Sequence, residues 1–247
     1  MRRILACVVL AAMVMGCDAE DASDDAKKSS EAPQTSEIEK IEKPAEPAVP
    51  TEAEAQKTFE EGAAAYKAGD YATALRLLEP LAELGVGPAQ LTLGLMYAEG
   101  KGIPQNAAEA HKWYRLAADQ GLADAQINLG NMYLQGIGVL QNDVEAAKWF
   151  RLAAEQGDAK AQNNLGVMYA TGKGVPQDPV QAYLWFNRAA SSNPPADNAA
   201  QNRDRIASQM TPEQLAQAQK LAQEAASTPS PMVTPPPMMT LPPMVAQ

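Results

Sequence analysis

Residues 88–123 read PAQLTLGLMYAEGKGIPQNAAEAHKWYRLAADQGLA. Residues 124–159, DAQINLGNMYLQGIGVLQNDVEAAKWFRLAAEQGDA, and residues 160–195, KAQNNLGVMYATGKGVPQDPVQAYLWFNRAASSNPP, align with them without a gap. A segment that recurs at a fixed period is one supersecondary unit that buries its apolar face only against its neighbours. In each copy Ala89, Leu93, Met96 and Tyr97, or their equivalents, recur at helical spacing. Gly94, Gly130 and Gly166 sit inside that first helix, where glycine costs about 0.5–1 kcal/mol relative to alanine, so close packing against a neighbour is expected there. The glycine pairs Gly100/Gly102, Gly136/Gly138 and Gly172/Gly174 end the helix and turn the chain. Asn106, Asn142 and Asp178 read as N-caps of a second helix, each with Glu or Gln three residues on, the spacing of a capping box. That helix presents Ala110, Trp113, Tyr114 and Ala117, repeated as Ala146, Trp149, Phe150 and Ala153 and as Ala182, Trp185, Phe186 and Ala189. The pattern predicts an all-α solenoid of stacked helix–turn–helix units.

These three copies resemble Sel1-like repeats, relatives of the tetratricopeptide repeat. Residues 52–87 resemble a leading tetratricopeptide-like unit through Gly62, Tyr66, Gly69, Tyr71, Ala74 and Leu78, without the longer GxG loop. Residues 196–226 are expected to cap the other end, with Thr211-Pro212-Glu213-Gln214 opening a helix whose apolar stripe is Leu215, Ala218, Leu221 and Ala225. Some Sel1-like proteins carry a cysteine pair in every repeat; these copies have none.

The resemblance implies a concave surface lined by first helices that holds a protein or peptide partner. The candidate binding residues are Leu91, Leu95, Ala98 and Glu99, then Ile127, Asn131, Leu134 and Gln135, then Asn163, Val167, Ala170 and Thr171. They vary from copy to copy where the core positions do not, and an apolar–amide mixture suits an extended or helical peptide. The alternative is that they contact the adjacent repeat.

At the N-terminus, Arg2 and Arg3 precede an apolar run, Ile4 to Met15, that is shorter than the roughly 20 residues a membrane span needs. Residues 1–16 read as an export signal, and Val14-Met15-Gly16-Cys17 resembles the cleavage site of a bacterial lipoprotein. That resemblance implies a diacylglycerol on the Cys17 thiol, cleavage just before it, and a protein tethered to an envelope membrane facing the periplasm. Cys7 leaves with the signal, so Cys17 becomes the one cysteine of the processed chain, and lipid attachment accounts for it. Asp18 resembles the inner-membrane retention signal of enteric lipoproteins, a rule that varies between bacteria, so inner and outer membrane both stay open. Residues 17–51 are rich in acids and proline and nearly free of large apolar side chains, a composition expected of a disordered spacer.

The chain carries 30 acidic and 20 basic residues, a formal charge of −10 that loss of Arg2 and Arg3 makes two units more negative. That balance excludes a basic nucleic-acid interface. Lys101 and Lys173 lie in GKG loops, but Ile103 and Val175 stand where a phosphate loop needs Ser or Thr, so the loops read as structural. His111 is the only histidine, with Ala147 and Tyr183 at its equivalent positions, and no nucleophile–base–orienter set accompanies it. The reading is a non-enzymatic scaffold without metal, cofactor or small-molecule substrate. A hydrolase built on the same repeats is the rival. A third reading rests on the Pro- and Met-rich tail, residues 227–247, whose Met232, Met238, Met239 and Met244 could offer thioethers to Cu(I), although their spacing is irregular.

Overall fold

The computed structural model describes residues 50–227. The signal segment, Cys17, the acidic spacer up to residue 49 and the methionines of the tail lie outside the described residues. The described residues hold ten helices and no strand.

The helices come in pairs. The first pair is α1 (Glu52–Ala68) and α2 (Tyr71–Glu83), joined by Gly69 and Asp70 alone. The next three are α3 (Gly87–Glu99) with α4 (Ala107–Asp119), α5 (Ala123–Gln135) with α6 (Asp143–Glu155), and α7 (Ala159–Thr171) with α8 (Pro179–Ser191). Two helices close the C-terminal end: α9 (Ala199–Ala207), which packs on α8, and α10 (Pro212–Ser227), which also rests on α8. Helices α1 to α9 pack mainly on their neighbours in sequence, the contact pattern of a solenoid.

The mid-helix glycines are explained by what covers them. A Cβ on Gly94 would stand 2.6 Å from the ring of Tyr114, one on Gly130 2.6 Å from Phe150, and one on Gly166 2.7 Å from Phe186. Each repeat therefore lays the aromatic ring of its second helix directly on the backbone of its first. Phe150 and Phe186 are sealed from solvent as a result, and Tyr114 nearly so. Burial pushes the Tyr114 phenol far above its ordinary range, so it stays protonated.

The loop glycines do two jobs. Gly100, Gly136 and Gly172 adopt φ near +70° and end α3, α5 and α7 in the left-handed conformation. Gly102, Gly138 and Gly174 press against the start of the preceding unit's second helix, at Tyr71, Ala107 and Asp143 respectively, leaving no room for a side chain. The loop is thus a stacking contact between units, and the GKG segments have a structural cause.

Asn106, Asn142 and Asp178 cap their helices as expected, each side-chain oxygen accepting from two backbone N–H groups. The reciprocal half of the capping box does not form there. The N-cap's own N–H donates to Tyr97, Tyr133 or Tyr169 across the loop at 2.9–3.0 Å, so Glu109 and Glu145 turn instead to Lys112 and Lys148. Complete capping boxes appear at Thr51/Glu54 and at Thr211/Gln214.

Candidate interaction surface

On an α-helix, residues i, i+4, i+7 and i+11 fall within a sector of about 60°. On α3 these are Pro88, Thr92, Leu95 and Glu99; on α5, Asp124, Asn128, Asn131 and Gln135; on α7, Lys160, Asn164, Val167 and Thr171. All twelve are half-buried or exposed, and the residues on the opposite side of each helix form the core. Successive units repeat at 36 residues, so the helices present these residues as parallel rows.

The candidate residues read from the sequence fall into two groups. Leu91, Leu95 and Ala98 lean partly on the core formed by α4, α5 and Trp149 of α6. Ile127 is only 8% exposed and belongs to the core shared with α6 and α7, with Leu134 packed against it. Ala170 packs on Phe186 and Ile206, and the Asn163 amide oxygen accepts a hydrogen bond from Asn202 of α9 at 3.0 Å. These side chains are engaged in stacking the next unit or the cap. Glu99, Asn131, Gln135, Val167 and Thr171 lie in the outward sector, as does the outer edge of Leu95, and Glu99 pairs there with Lys101 at 2.5 Å. The Lys101 ammonium also sits 5.2 Å from the centre of the Tyr66 ring, and the Glu99 carboxylate and Tyr66 hydroxyl hold its pKa well above the usual lysine range.

Six members of the sector escaped the sequence reading: Pro88, Asp124 and Lys160, and with them Thr92, Asn128 and Asn164. The signal was present, since the latter three share one register position and stand four residues after Pro88, Asp124 and Lys160. Thr92 spends its hydroxyl on the Pro88 carbonyl at 2.9 Å. Asn128, Asn131 and Asn164 differ: each is half-buried, and none of their amides is hydrogen-bonded to another described residue. The interior amides behave in the opposite way. Gln90, Gln126 and Gln162 are buried; each Nε2 donates to a carbonyl of the preceding unit, Ala82, Ala118 or Ala154, at 3.0–3.2 Å. Their Oε1 atoms accept from Gln120, Gln156 and Ser192. Where an amide is structural here, it is satisfied on both sides; the three asparagines offer both donor and acceptor to whatever lies along the stripe.

His111 on α4 stands beside this region, its Nε2 3.3 Å from the Tyr133 hydroxyl and its ring edge-on to the tyrosine. Burial and the charge of Arg115 hold its pKa below the ordinary histidine value. Among the described residues no group of three or more His, Cys, Asp or Glu could hold a metal ion, and no helix is long and apolar enough to cross a membrane.

The Sel1 repeat model matches the chain four times, at residues 58–86, 87–122, 123–158 and 159–194, together more than half of it. Among solved structures, a Sel1 repeat protein from Oxalobacter formigenes is similar at 35% identity with a TM-score of 0.58, covering 68% of this chain and 70% of that one. A second is c5321, a protective antigen present in uropathogenic Escherichia coli strains and displaying an SLR fold; identity is 31%, the TM-score 0.48, and the match covers 69% of this chain and 45% of that one. No curated protein matched the chain.

Proposed function

Because the chain belongs to the Sel1 repeat family, whose members are generally protein-interaction scaffolds, we propose that it is a lipid-anchored scaffold of the bacterial cell envelope, holding an extended segment of a partner protein along the first-helix stripe. The observation that carries the binding half is the row of free amides at Asn128, Asn131 and Asn164. An extended peptide exposes an N–H or a C=O at short intervals, and a primary amide answers both with one side chain. Val167 and the outer edge of Leu95 add apolar contact between these polar points. The membrane half is carried by Cys17 and the segment before it.

Two experiments test the halves separately. Crosslinked co-purification from membranes is compared between wild type and Asn131→Lys/Asn164→Lys, after circular dichroism shows that the variant is folded. A partner captured by wild type and lost in the variant supports the stripe; the same partners in both remove it. For the anchor, Cys17→Ser is expected to stop incorporation of labelled palmitate and to leave the signal uncleaved by the lipoprotein peptidase. A variant that is still processed and membrane-bound overturns the anchor while leaving the stripe intact.

A further inference from the structure

Six large hydrophobic side chains are exposed among the described residues, and four of them lie on α6 and the loop that leads into it. Ile137 (49% exposed) and Leu140 (90%) lie in the α5–α6 loop, Val144 (51%) on the first turn of α6, and Leu152 (45%) two turns further along, about 80° round the helix, with the exposed Lys148 between them. Leu116 occupies the register position of Leu152 on the neighbouring α4 and is also exposed. Folding does not call for the loop pair. The equivalent positions are Lys101 and Pro104 in the preceding copy and Lys173 and Pro176 in the following one, and all three loops take the same course. An apolar loop pair in one copy alone, where its siblings are charged or imino, points to an occupant; Val144 and Leu152, which recur as Val180 and Leu116, extend the surface it meets.

We propose that the occupant is the C-terminal tail of the same chain, residues 228–247, lying along α6 from Leu152 to the Ile137/Leu140 loop. Three observations support this choice. The first is where the described chain ends. Ala222 and Ala226 of α10 face Glu155 and Gln156 of α6 across a shared cleft, so the described chain ends near the C-terminal end of α6. The second is reach: α6 is about 20 Å long, and the tail's twenty residues would span ~60 Å in a polyproline conformation. The third is chemistry. Residues 228–247 contain no Asp, Glu, Lys, Arg or His, in a chain of formal charge −10, and set Met232/Val233, Met238/Met239/Leu241 and Met244/Val245 between proline runs. Flexible thioethers fit irregular apolar surface, and proline reduces the entropy lost on docking.

The test is methionine oxidation in the full-length protein in detergent. Dilute peroxide is applied, and sulfoxide at Met232, Met238, Met239 and Met244 is followed by mass spectrometry against a free peptide of residues 228–247. The tail methionines are expected to oxidise about fivefold more slowly than in the peptide, the factor for a segment docked roughly four-fifths of the time. Ile137→Lys/Leu140→Pro restores the residues native to both neighbouring copies, so it is expected to keep the wild-type circular dichroism spectrum while returning oxidation to the peptide rate. Equal rates in wild type and peptide overturn the proposal, as does protection that survives the double substitution. Protection that grows with protein concentration also overturns it, by assigning the surface to a second copy.

Discussion

At the residue scale, the contact between Gly130 and Phe150 sets how closely α5 and α6 approach. Gly130→Ala places a methyl group inside the ring's contact distance, although alanine is the better helix former. The expected outcome is a loss of about 1–3 kcal/mol in urea unfolding, since overpacking outweighs propensity. Trp149 poses a different question. It is 7% exposed, packs between units with the Arg115 guanidinium 5.1 Å above its ring, and its Nε1 is buried with no hydrogen-bond partner among the described residues. Trp149→Ala is expected to cost about 3–5 kcal/mol. Trp149→Phe also removes the orphaned donor and is expected to cost under about 1.5 kcal/mol. A larger loss in the phenylalanine variant would show that the indole nitrogen has a partner.

His111 adds a pH dependence at the same scale. Its folded pKa lies below the ordinary value, so the unfolded chain binds the proton more readily. The neutral ring's contribution is present above the ordinary histidine pKa and is lost as pH falls through the folded one. Between about pH 7.5 and about pH 5.5, the urea midpoint of wild type is therefore expected to fall further than that of His111→Ala. Ala147 fills the equivalent position in the next unit, so alanine is compatible with this site.

At the element scale, adjacent units are joined by two devices that differ in how readily a sequence discloses them. The GxG loop announces itself, because two glycines at fixed spacing in three copies call for a backbone explanation. The glutamine series is as regular, at Gln90, Gln126 and Gln162, yet glutamine in a helix reads as surface until the neighbouring carbonyl is in view. Gln126→Leu would strand the Ala118 carbonyl and the Gln156 amide. The expected loss is about 1–3 kcal/mol, from leaving buried polar groups unpaired, and it is checked by urea unfolding. Cap chemistry shows the same limit. Asn106-to-Glu109 spacing allows a capping box, but the loop closure that gives the Asn106 N–H to Tyr97 is a tertiary event, and it frees the glutamate for Lys112.

For the whole molecule, the 36-residue register makes the units interchangeable at their junctions. Deleting residues 124–159 brings Gln162 opposite the Ala118 carbonyl and Gly174 opposite Ala107, the partners that Gln126 and Gly138 have now. The shortened protein is expected to remain helical by circular dichroism with a lower urea midpoint, as nearest-neighbour stabilisation predicts. An unfolded deletion variant would mean that the units do not stack independently of their order.

Period, helix pairing, close packing on the mid-helix glycines and the loop turns were legible in the sequence, because each depends on a residue type that has few physical alternatives at its position; that an aromatic ring covers each glycine came from the structure. The export signal and the lipid on Cys17 are proposed from local chemistry alone and lie outside the described residues. The division of the first-helix face was decided by the tertiary structure. Leu91, Ile127 and Asn163 looked equivalent to Asn131 and Val167 by variability, but a helix in a solenoid has two neighbours and a free side, and about 40° of rotation separates stacking from exposure. Which amides stay unpaired, and which apolar residues stay uncovered, depends on what the next unit and the capping helices bring against them, and no single helix carries that information.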